Sequence, residues 1–122
     1  MIYVKTRMWA VDNCGAKIVE CIKVLKKKYQ QGEMGDEIVV AVKSARPRKK
    51  VKKHDVHRAI IVRTRKIISR HHYGYRIWFK KNGVVIIDKK GNPIANRMKG
   101  SICQEIRSWK YMKLVSLASS II

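Results

Sequence analysis

The sequence predicts a mainly β protein, built as a small closed β-barrel with a helical C-terminal cap. Over most of the chain, short runs of β-prone residues are separated by turn signals, whereas after Gly100 the apolar residues recur every three or four positions. Five or more short strands in 122 residues favour a closed barrel, because closure leaves no exposed sheet edge. We expect one domain over residues 1–122, with the barrel at about 1–100 and the cap at about 101–118.

The first half of the chain contains strands bounded by turns. Asp12-Asn13-Cys14-Gly15 has the composition of a tight turn, since Asn and Gly tolerate a left-handed backbone, and a strand is expected next at residues 17–25. A further strand is expected at residues 37–43, where alternate residues share one face: Ile38, Val40 and Val42.

The next two segments are also predicted strands. Residues 56–66 contain the apolar block Ala59-Ile60-Ile61-Val62, which predicts a strand covered on both faces. Alternation over residues 75–80 predicts that Tyr75 and Phe79 face the barrel core.

The last part of the chain begins with a hairpin signal and ends with a helical pattern. Asn82-Gly83 predicts a two-residue hairpin turn into a strand at residues 84–88, because both residues accept positive φ. Apolar residues then recur at helical spacing, which predicts one amphipathic helix or two short ones packed on the sheet: Ile102, Ile106, Trp109 and Met112.

The charge of the chain is lopsided, with 29 Lys and Arg against 8 Asp and Glu and a net charge of +21 at pH 7. Self-repulsion of this size opposes a compact fold unless a polyanion neutralises it. Because 46% of the residues are hydrophobic, the chain can still build a core and is not a disordered basic tail. The composition therefore indicates a folded nucleic-acid-binding protein. Neither a long apolar span nor a basic amphipathic helix supports a membrane partner instead.

The cations are concentrated in residues 43–72, which contain 12 Lys and Arg and a single acid, Asp55. Part of this stretch lies between two predicted strands as an extended tip or loop, stiffened by Pro47. Cations on such a loop suit phosphate groups, and we predict that six of them contact RNA: Arg46, Arg48, Lys49, Lys50, Lys52 and Lys53.

A second basic group follows the apolar block and is also predicted to contact RNA: Arg63, Arg65, Lys66 and Arg70. The adjacent His71, His72, Tyr73 and Tyr75 supply planar groups that could stack on unpaired nucleotides, although alternation favours the barrel core for Tyr75. For His71 and His72 the sequence leaves contact with RNA and exposure to solvent equally open.

The sequence predicts no catalytic residues, no metal site, no cofactor and no small-molecule substrate. The acids are scattered, whereas a nuclease needs clustered carboxylates to hold a metal ion. His54-x-x-His57 with Cys14 or Cys21 matches no strong zinc pattern. Three cysteines without a CxxC pair predict free thiols among apolar neighbours in a reduced compartment.

A free single-strand binder is the competing interpretation to a permanent RNA-bound component. That class displays exposed aromatic residues on its sheet as stacking platforms. Aromatic residues make up 7% of this chain, and most of them fall at expected core positions, which disfavours the free binder.

The chain resembles the universal large-subunit ribosomal protein fourteen family over nearly its whole length. The matching segments are Val11-Asp12-Asn13-Cys14-Gly15-Ala16, Cys21-Ile22-Lys23-Val24-Leu25, Gly35-Asp36, residues 47–56, residues 59–66, the signature positions Gly74, Phe79, Asn82 and Val85, Glu105-Ile106-Arg107-Ser108, Met112-Lys113 and Ser116-Leu117-Ala118. Tyr73 departs from the signature, in which Asp, Asn or Ser is usual at that position.

This resemblance implies a five-stranded barrel with short C-terminal α-helices, in a structural, non-enzymatic part of the large ribosomal subunit. It also implies binding to large-subunit rRNA at the face that meets the small subunit, with small-subunit rRNA touched at inter-subunit bridges. The implied protein partners are neighbours of the L-nineteen and L-three types and a ribosome silencing factor. By position, the protein-facing and subunit-facing residues would be Asn96, Arg97, Arg107 and Lys113.

The compartment is predicted from composition alone. Abundant Lys and Ile and three Trp suggest an AT-biased organellar genome, so we predict the mitochondrial matrix, with a plastid or the bacterial cytoplasm as alternatives. Residues 1–20 carry Asp12 and Glu20 and lack a continuous apolar stretch, so no signal or transit peptide is expected there.

Overall fold

Five strands close into a barrel in the order β1-β2-β3-β4-β7, which confirms the predicted fold class. The computed structural model describes residues 2–70, 74–107 and 109–122, without the side chain of Trp109; His71, His72 and Tyr73 lie outside the described residues. The elements are β1 (Arg7–Ala10), β2 (Ala16–Val24), β3 (Glu37–Ala45), β4 (Val56–Arg63), β5 (Ile68–Arg70), β6 (Tyr75–Ile77), β7 (Gly83–Ile87), β8 (Ser101–Ile102), two 3₁₀ turns (Gln104–Ile106 and Trp109–Tyr111), α1 (Met112–Leu117) and β9 (Ser120–Ile121).

Strand β7 closes the barrel by pairing with two strands that are distant in sequence. It runs antiparallel to β4, with Ile60 opposite Val85, and parallel to β1, with Ala10 opposite Val84. Gly83 begins the strand at a point of close approach, since a Cβ there would lie 2.9 Å from Cγ1 of Val11. A glycine is therefore required where β7 meets the start of the chain.

The predicted two-residue hairpin at Asn82-Gly83 is wrong. Gly83 belongs to β7, and β6 pairs with β5 rather than with β7. The Oδ1 atom of Asn82 instead accepts a hydrogen bond of 3.0 Å from the backbone N–H of Arg65. Pairing of β7 with two barrel strands outweighs the local turn preference, because the barrel buries every residue of β7.

The barrel interior is filled by the inward residues of its strands. Ile38, Val40 and Val42 are all 0% exposed, which confirms the alternation predicted for β3. Cys14 and Cys21 lie in the same cluster as free thiols, and burial, aided by the nearby Asp12 carboxylate, raises the pKa of Cys14 to about 12. Such thiols are unreactive and act as small apolar side chains.

A second apolar cluster covers the outer faces of β4 and β7. Its barrel members, Ile60, Val62, Val85 and Ile87, pack with residues of the C-terminal segment that include Ile102, Ile106 and Leu114. The block Ala59-Ile60-Ile61-Val62 is 0% exposed throughout, so the predicted burial on both faces is confirmed.

The C-terminal segment is less helical than its spacing predicts. The described residues form one α-helix, α1, preceded by two 3₁₀ turns, and β8 pairs in parallel with β9 through Ile102 and Ile121. Met112 is 49% exposed and does not belong to the buried face. The pairing of β8 with β9 holds the two ends of the segment in extended rather than helical structure.

Strands β5 and β6 form a two-stranded ribbon outside the barrel. The prediction that Tyr75 and Phe79 face the barrel core is therefore wrong, since Tyr75 is 46% exposed and Phe79 is half-buried. Ile77 is the buried residue of β6.

A buried carboxylate ties the cap to the barrel. Oε1 of Glu37, at the start of β3, accepts hydrogen bonds of 2.5 Å from Nζ of Lys110 and 2.6 Å from the hydroxyl of Tyr111. Burial favours the protonated acid, but these two donors outweigh it and lower the pKa of Glu37 below its ordinary value of 4.5. Ionised Glu37 therefore stabilises the fold at neutral pH, and that contribution is lost as the pH falls through the lowered pKa.

We expect Glu37→Gln to lower the free energy of unfolding at neutral pH by about 1–3 kcal/mol, because a charge-assisted contact is lost in a buried place. The difference from wild type should shrink as the pH falls below 4.5, where Glu37 of the unfolded chain becomes protonated, and its charge-dependent part should be lost once the pH passes the lowered pKa of the folded protein. Urea unfolding at several pH values measures both effects. Glu20→Gln is the control, since Glu20 makes a surface contact of 3.7 Å with Arg7 and its loss should cost less than about 1 kcal/mol. A pH-independent difference for Glu37→Gln would contradict this role.

Candidate nucleic-acid interface

The segment that connects β3 to β4, residues 46–53, is called the basic loop below. Its six cations, all predicted to contact RNA, are all exposed: Arg46, Arg48, Lys49, Lys50, Lys52 and Lys53. Val51 in the middle of the loop is 0% exposed and belongs to the barrel core cluster. One buried apolar side chain thus anchors a loop whose charged groups face outward.

Backbone hydrogen bonds hold the basic loop against the turn that precedes β2. The N–H of Arg46 donates to the carbonyl of Gly15 at 2.7 Å, and the N–H of Val51 donates to the carbonyl of Cys14 at 3.2 Å. Nζ of Lys50 reaches the carbonyl of Ile94 at 3.4 Å. The loop is therefore a fixed part of the barrel surface and not a freely projecting tip.

Gly15 is required for this arrangement. Its φ of +113° is in a region that L side chains rarely adopt, and a Cβ at this position would collide with Cβ of Lys49. The turn that the sequence predicts at residues 12–15 therefore also positions the basic loop.

The acid closest in sequence to the basic loop is used within the protein. Oδ2 of Asp55 accepts a hydrogen bond of 3.0 Å from the backbone N–H of Lys52 and lies 3.5 Å from Nε2 of His57. The Lys52 N–H, and secondarily the imidazole of His57, lower the pKa of Asp55. The carboxylate orders the end of the loop without pairing with a loop side chain.

Arg65 and Lys66, from the second predicted group, are exposed just beyond β4. Nζ of Lys66 lies 3.2 Å from Oε1 of Glu33, an exposed ion pair that water or another anion can replace at little cost. Both side chains remain available to a polyanion.

Arg63 and Arg70, which the sequence predicts to contact RNA, both donate hydrogen bonds to the C-terminal part of the chain. Nε of Arg63 donates to the carbonyl of Ser101 at 2.8 Å, and its Nη2 donates to the carbonyl of Lys99. Burial lowers the pKa of Arg63, although the group stays charged at neutral pH.

Arg70 is only 8% exposed. Its Nε lies 3.1 Å from Oε1 of Glu105, and its Nη2 donates to the main-chain oxygen of Ile122 at 2.7 Å. Hydrogen bonds to Glu105 raise the pKa of Arg70 above its ordinary value. Both arginines therefore hold the C-terminal segment on the barrel. Their contact with RNA stays a prediction.

The residues predicted to face proteins or the small subunit lie in two places. Asn96 and Arg97 are exposed and fixed by Asn13, whose Nδ2 donates to Oδ1 of Asn96 at 2.8 Å. Asn96 lines a surface pocket together with Lys49 and Lys50 of the basic loop. Arg107 follows the first 3₁₀ turn and Lys113 lies in α1, and both are exposed.

Sequence reasoning missed a groove beside the basic loop. Arg46 shares this groove with Trp9, Lys17 and Lys99, which come from three other parts of the chain. The available signal was the alternation in β1, where Met8 points inward and Trp9 points outward.

Neither a metal cluster nor a membrane-crossing helix occurs in the described part of the chain. Within residues 2–70, 74–107 and 109–122, no group of three or more His, Cys, Asp or Glu side chains is placed to hold a metal ion. In the same ranges, no helix has the length and apolar character needed to cross a membrane.

This small barrel holds a loop of exposed cations on its surface. Proteins with this arrangement form the class of rigid basic scaffolds that associate with a polyanion. Comparison with known families agrees with that class and makes it specific. The chain belongs to the ribosomal protein L14p/L23e family, whose model matches residues 1–122. This confirms the resemblance seen in the sequence.

Family membership makes this a large-subunit ribosomal protein with a structural role, and not an enzyme. It implies association with the ribosome, with ribosomal RNA and ribosomal proteins as partners.

We expect Val51→Ala to release the basic loop from the barrel. Removing a fully buried valine side chain should cost about 1–3 kcal/mol of unfolding free energy. The amide of Val51, which donates to Cys14, should exchange faster with solvent, although no charge has changed. Hydrogen exchange and urea unfolding test this. Val56→Ala is the control, since Val56 is 60% exposed and its truncation should cost about 0.5 kcal/mol or less. Unchanged exchange across residues 46–53 would show that Val51 does not anchor the loop.

Proposed function

We propose that this protein binds large-subunit rRNA through the basic loop, at the face of the large subunit that meets the small subunit. The observation that carries the proposal is the loop itself, in which six exposed cations stand on a backbone already hydrogen-bonded to the barrel. A preordered loop loses little conformational entropy when RNA binds, so more of the electrostatic attraction appears as affinity.

The chemistry of the contact is phosphate neutralisation. Each phosphate that a Lys or Arg neutralises releases condensed counterions, so the logarithm of the affinity should fall by roughly 0.7–0.9 per contact for each tenfold rise in salt. Phosphate contacts recognise the path of the RNA backbone and carry little sequence information. Arg65 and Lys66 extend the same kind of surface beyond β4.

The protein-facing part of the proposal rests on four exposed residues, Asn96, Arg97, Arg107 and Lys113. We propose that they contribute to inter-subunit bridges with small-subunit rRNA, to contacts with neighbours of the L-nineteen and L-three types, and to the docking of a ribosome silencing factor. Asn96 borders the basic loop, so a protein or RNA bound there would also meet Lys49 and Lys50.

The proposed compartment is the mitochondrial matrix. The support is the composition of the chain, with its abundance of Lys and Ile, and a plastid or bacterial ribosome would show the same fold and the same loop.

We expect Arg48→Glu combined with Lys50→Glu to reduce incorporation into large subunits several-fold. Two cations of the basic loop become anions, whereas Val51 and the backbone hydrogen bonds of the loop are retained. The measurement is the share of tagged protein that comigrates with large subunits on a sucrose gradient at moderate salt.

Lys89→Glu combined with Lys90→Glu is the matched control, because it makes the same charge change at exposed positions outside the proposed surface. This control should incorporate like wild type, and both double variants should melt near the wild-type temperature. Normal incorporation of the basic-loop variant would refute the proposed role of the loop. Equal loss in both variants would show that only total charge matters.

A further inference from the structure

Trp9 is an outward-facing aromatic residue on the barrel wall. It is 45% exposed, whereas the preceding Met8 is 1% exposed and points into the core. The backbone at Trp9 is fixed by its N–H, which donates to the carbonyl of Asn82 at 3.0 Å. Its neighbour on β7 is Gly83, which has no side chain to cover the indole.

The indole is held in place from one side. Nζ of Lys81 lies 4.2 Å from the ring centroid, a cation–π contact that covers one face and restricts rotation of the ring. Since Trp9 is partly exposed and lines the groove, a planar group bound there can stack on the ring without first ordering the side chain.

The groove next to Trp9 is lined by cations and small residues. Lys17, Arg46 and Lys99 line it, together with Gly15 and Ala16. Its volume of about 280 Å³ lies at the lower end of ligand-pocket sizes, which suits one small planar group and not a duplex.

One acid lines the groove beside its three cations. This acid is Asp12; its Oδ2 accepts a hydrogen bond of 3.1 Å from the N–H of Ile86, and its Oδ1 accepts one of 2.9 Å from the thiol of Cys14. Because three cations face a single carboxylate, the groove keeps a net positive charge and attracts an anion.

We propose that this groove binds one unpaired RNA nucleotide, with its base stacked on the indole of Trp9 and its flanking phosphates on Lys17, Arg46 and Lys99. Exposed aromatic rings beside cations are the means by which proteins hold unstacked bases, whereas the bases of a duplex are covered by their neighbours. Arg46 joins the groove to the basic loop, so the same RNA strand can run from one to the other. The inference thus rests on the proposed RNA-binding function and adds a base contact to it.

The test compares Trp9→Ala with Trp78→Ala in the full chain. Trp78 is 61% exposed and serves as the matched control for loss of a surface indole. Fluorescence anisotropy measures binding to a labelled single-stranded oligoribonucleotide of mixed sequence and to a blunt-ended RNA duplex of equal length. A stacked base contributes enough affinity that Trp9→Ala should weaken single-strand binding by about 5- to 150-fold. Duplex affinity, and the salt dependence of both affinities, should stay within about twofold of wild type.

A second variant at Trp9 distinguishes loss of the aromatic ring from a folding defect. Trp9→Phe keeps an aromatic face and should retain single-strand affinity to within a few-fold of wild type, whereas Trp78→Ala should leave it unchanged. Single-strand binding by Trp9→Ala equal to wild type, or an equal loss for the duplex or for Trp78→Ala, would overturn the nucleotide site. If Arg48→Glu with Lys50→Glu weakens RNA binding and Trp9→Ala does not, the nucleotide site is refuted while the proposed RNA-binding function stands. If the wild type binds neither RNA at low salt, both the nucleotide site and the proposed RNA-binding function are refuted.

Discussion

Strand β7 lies between β4 and β1, and burial of both its faces is the constraint on which the rest of the structure depends. Val84 and Ile86 point into the barrel core, while Val85 and Ile87 pack under the C-terminal segment. Each such side chain contributes about 1.5–3 kcal/mol when buried, so these four together approach the whole stability of a typical domain. The same strand thus closes the barrel and packs against the C-terminal segment.

The charge of the protein is divided between internal and external roles. Its few acids make structural contacts: Glu37 with the cap, Glu105 with Arg70, Asp55 with the end of the basic loop, and Asp12 with β7. In the described part of the chain, no acid forms an ion pair with the exposed Lys and Arg side chains of the basic loop. A polyanion supplies the counter-charge, and that physical need links a stable barrel to a role within a ribonucleoprotein particle.

Hydrophobic patterning along the chain predicts the buried residues of β3 and β4, although it wrongly places Tyr75 and Phe79 in the barrel core. The block Ala59-Ile60-Ile61-Val62 and the alternation of Ile38, Val40 and Val42 both correspond to what the strands bury, because burial periodicity is a local property of strand geometry. Pairing partners are not local. Asn82-Gly83 has the composition of a hairpin, yet Gly83 pairs with β1 and β4, since closing the barrel buries more surface than a hairpin with β6.

In the candidate site, too, some features follow from the local sequence and others from distant parts of the chain. Clustering of one sign of charge in residues 46–53 was visible in the sequence, and every cation of that loop is exposed, because a loop rich in Lys and Arg gains nothing from burial. Only the tertiary structure decided that Arg63 and Arg70 donate hydrogen bonds to the C-terminal part of the chain and that Trp9 stands beside Arg46. The reason is that the availability of a side chain depends on what distant parts of the chain bring next to it. Here residues 99–122 supply the carbonyls and the carboxylate that bind the two arginines.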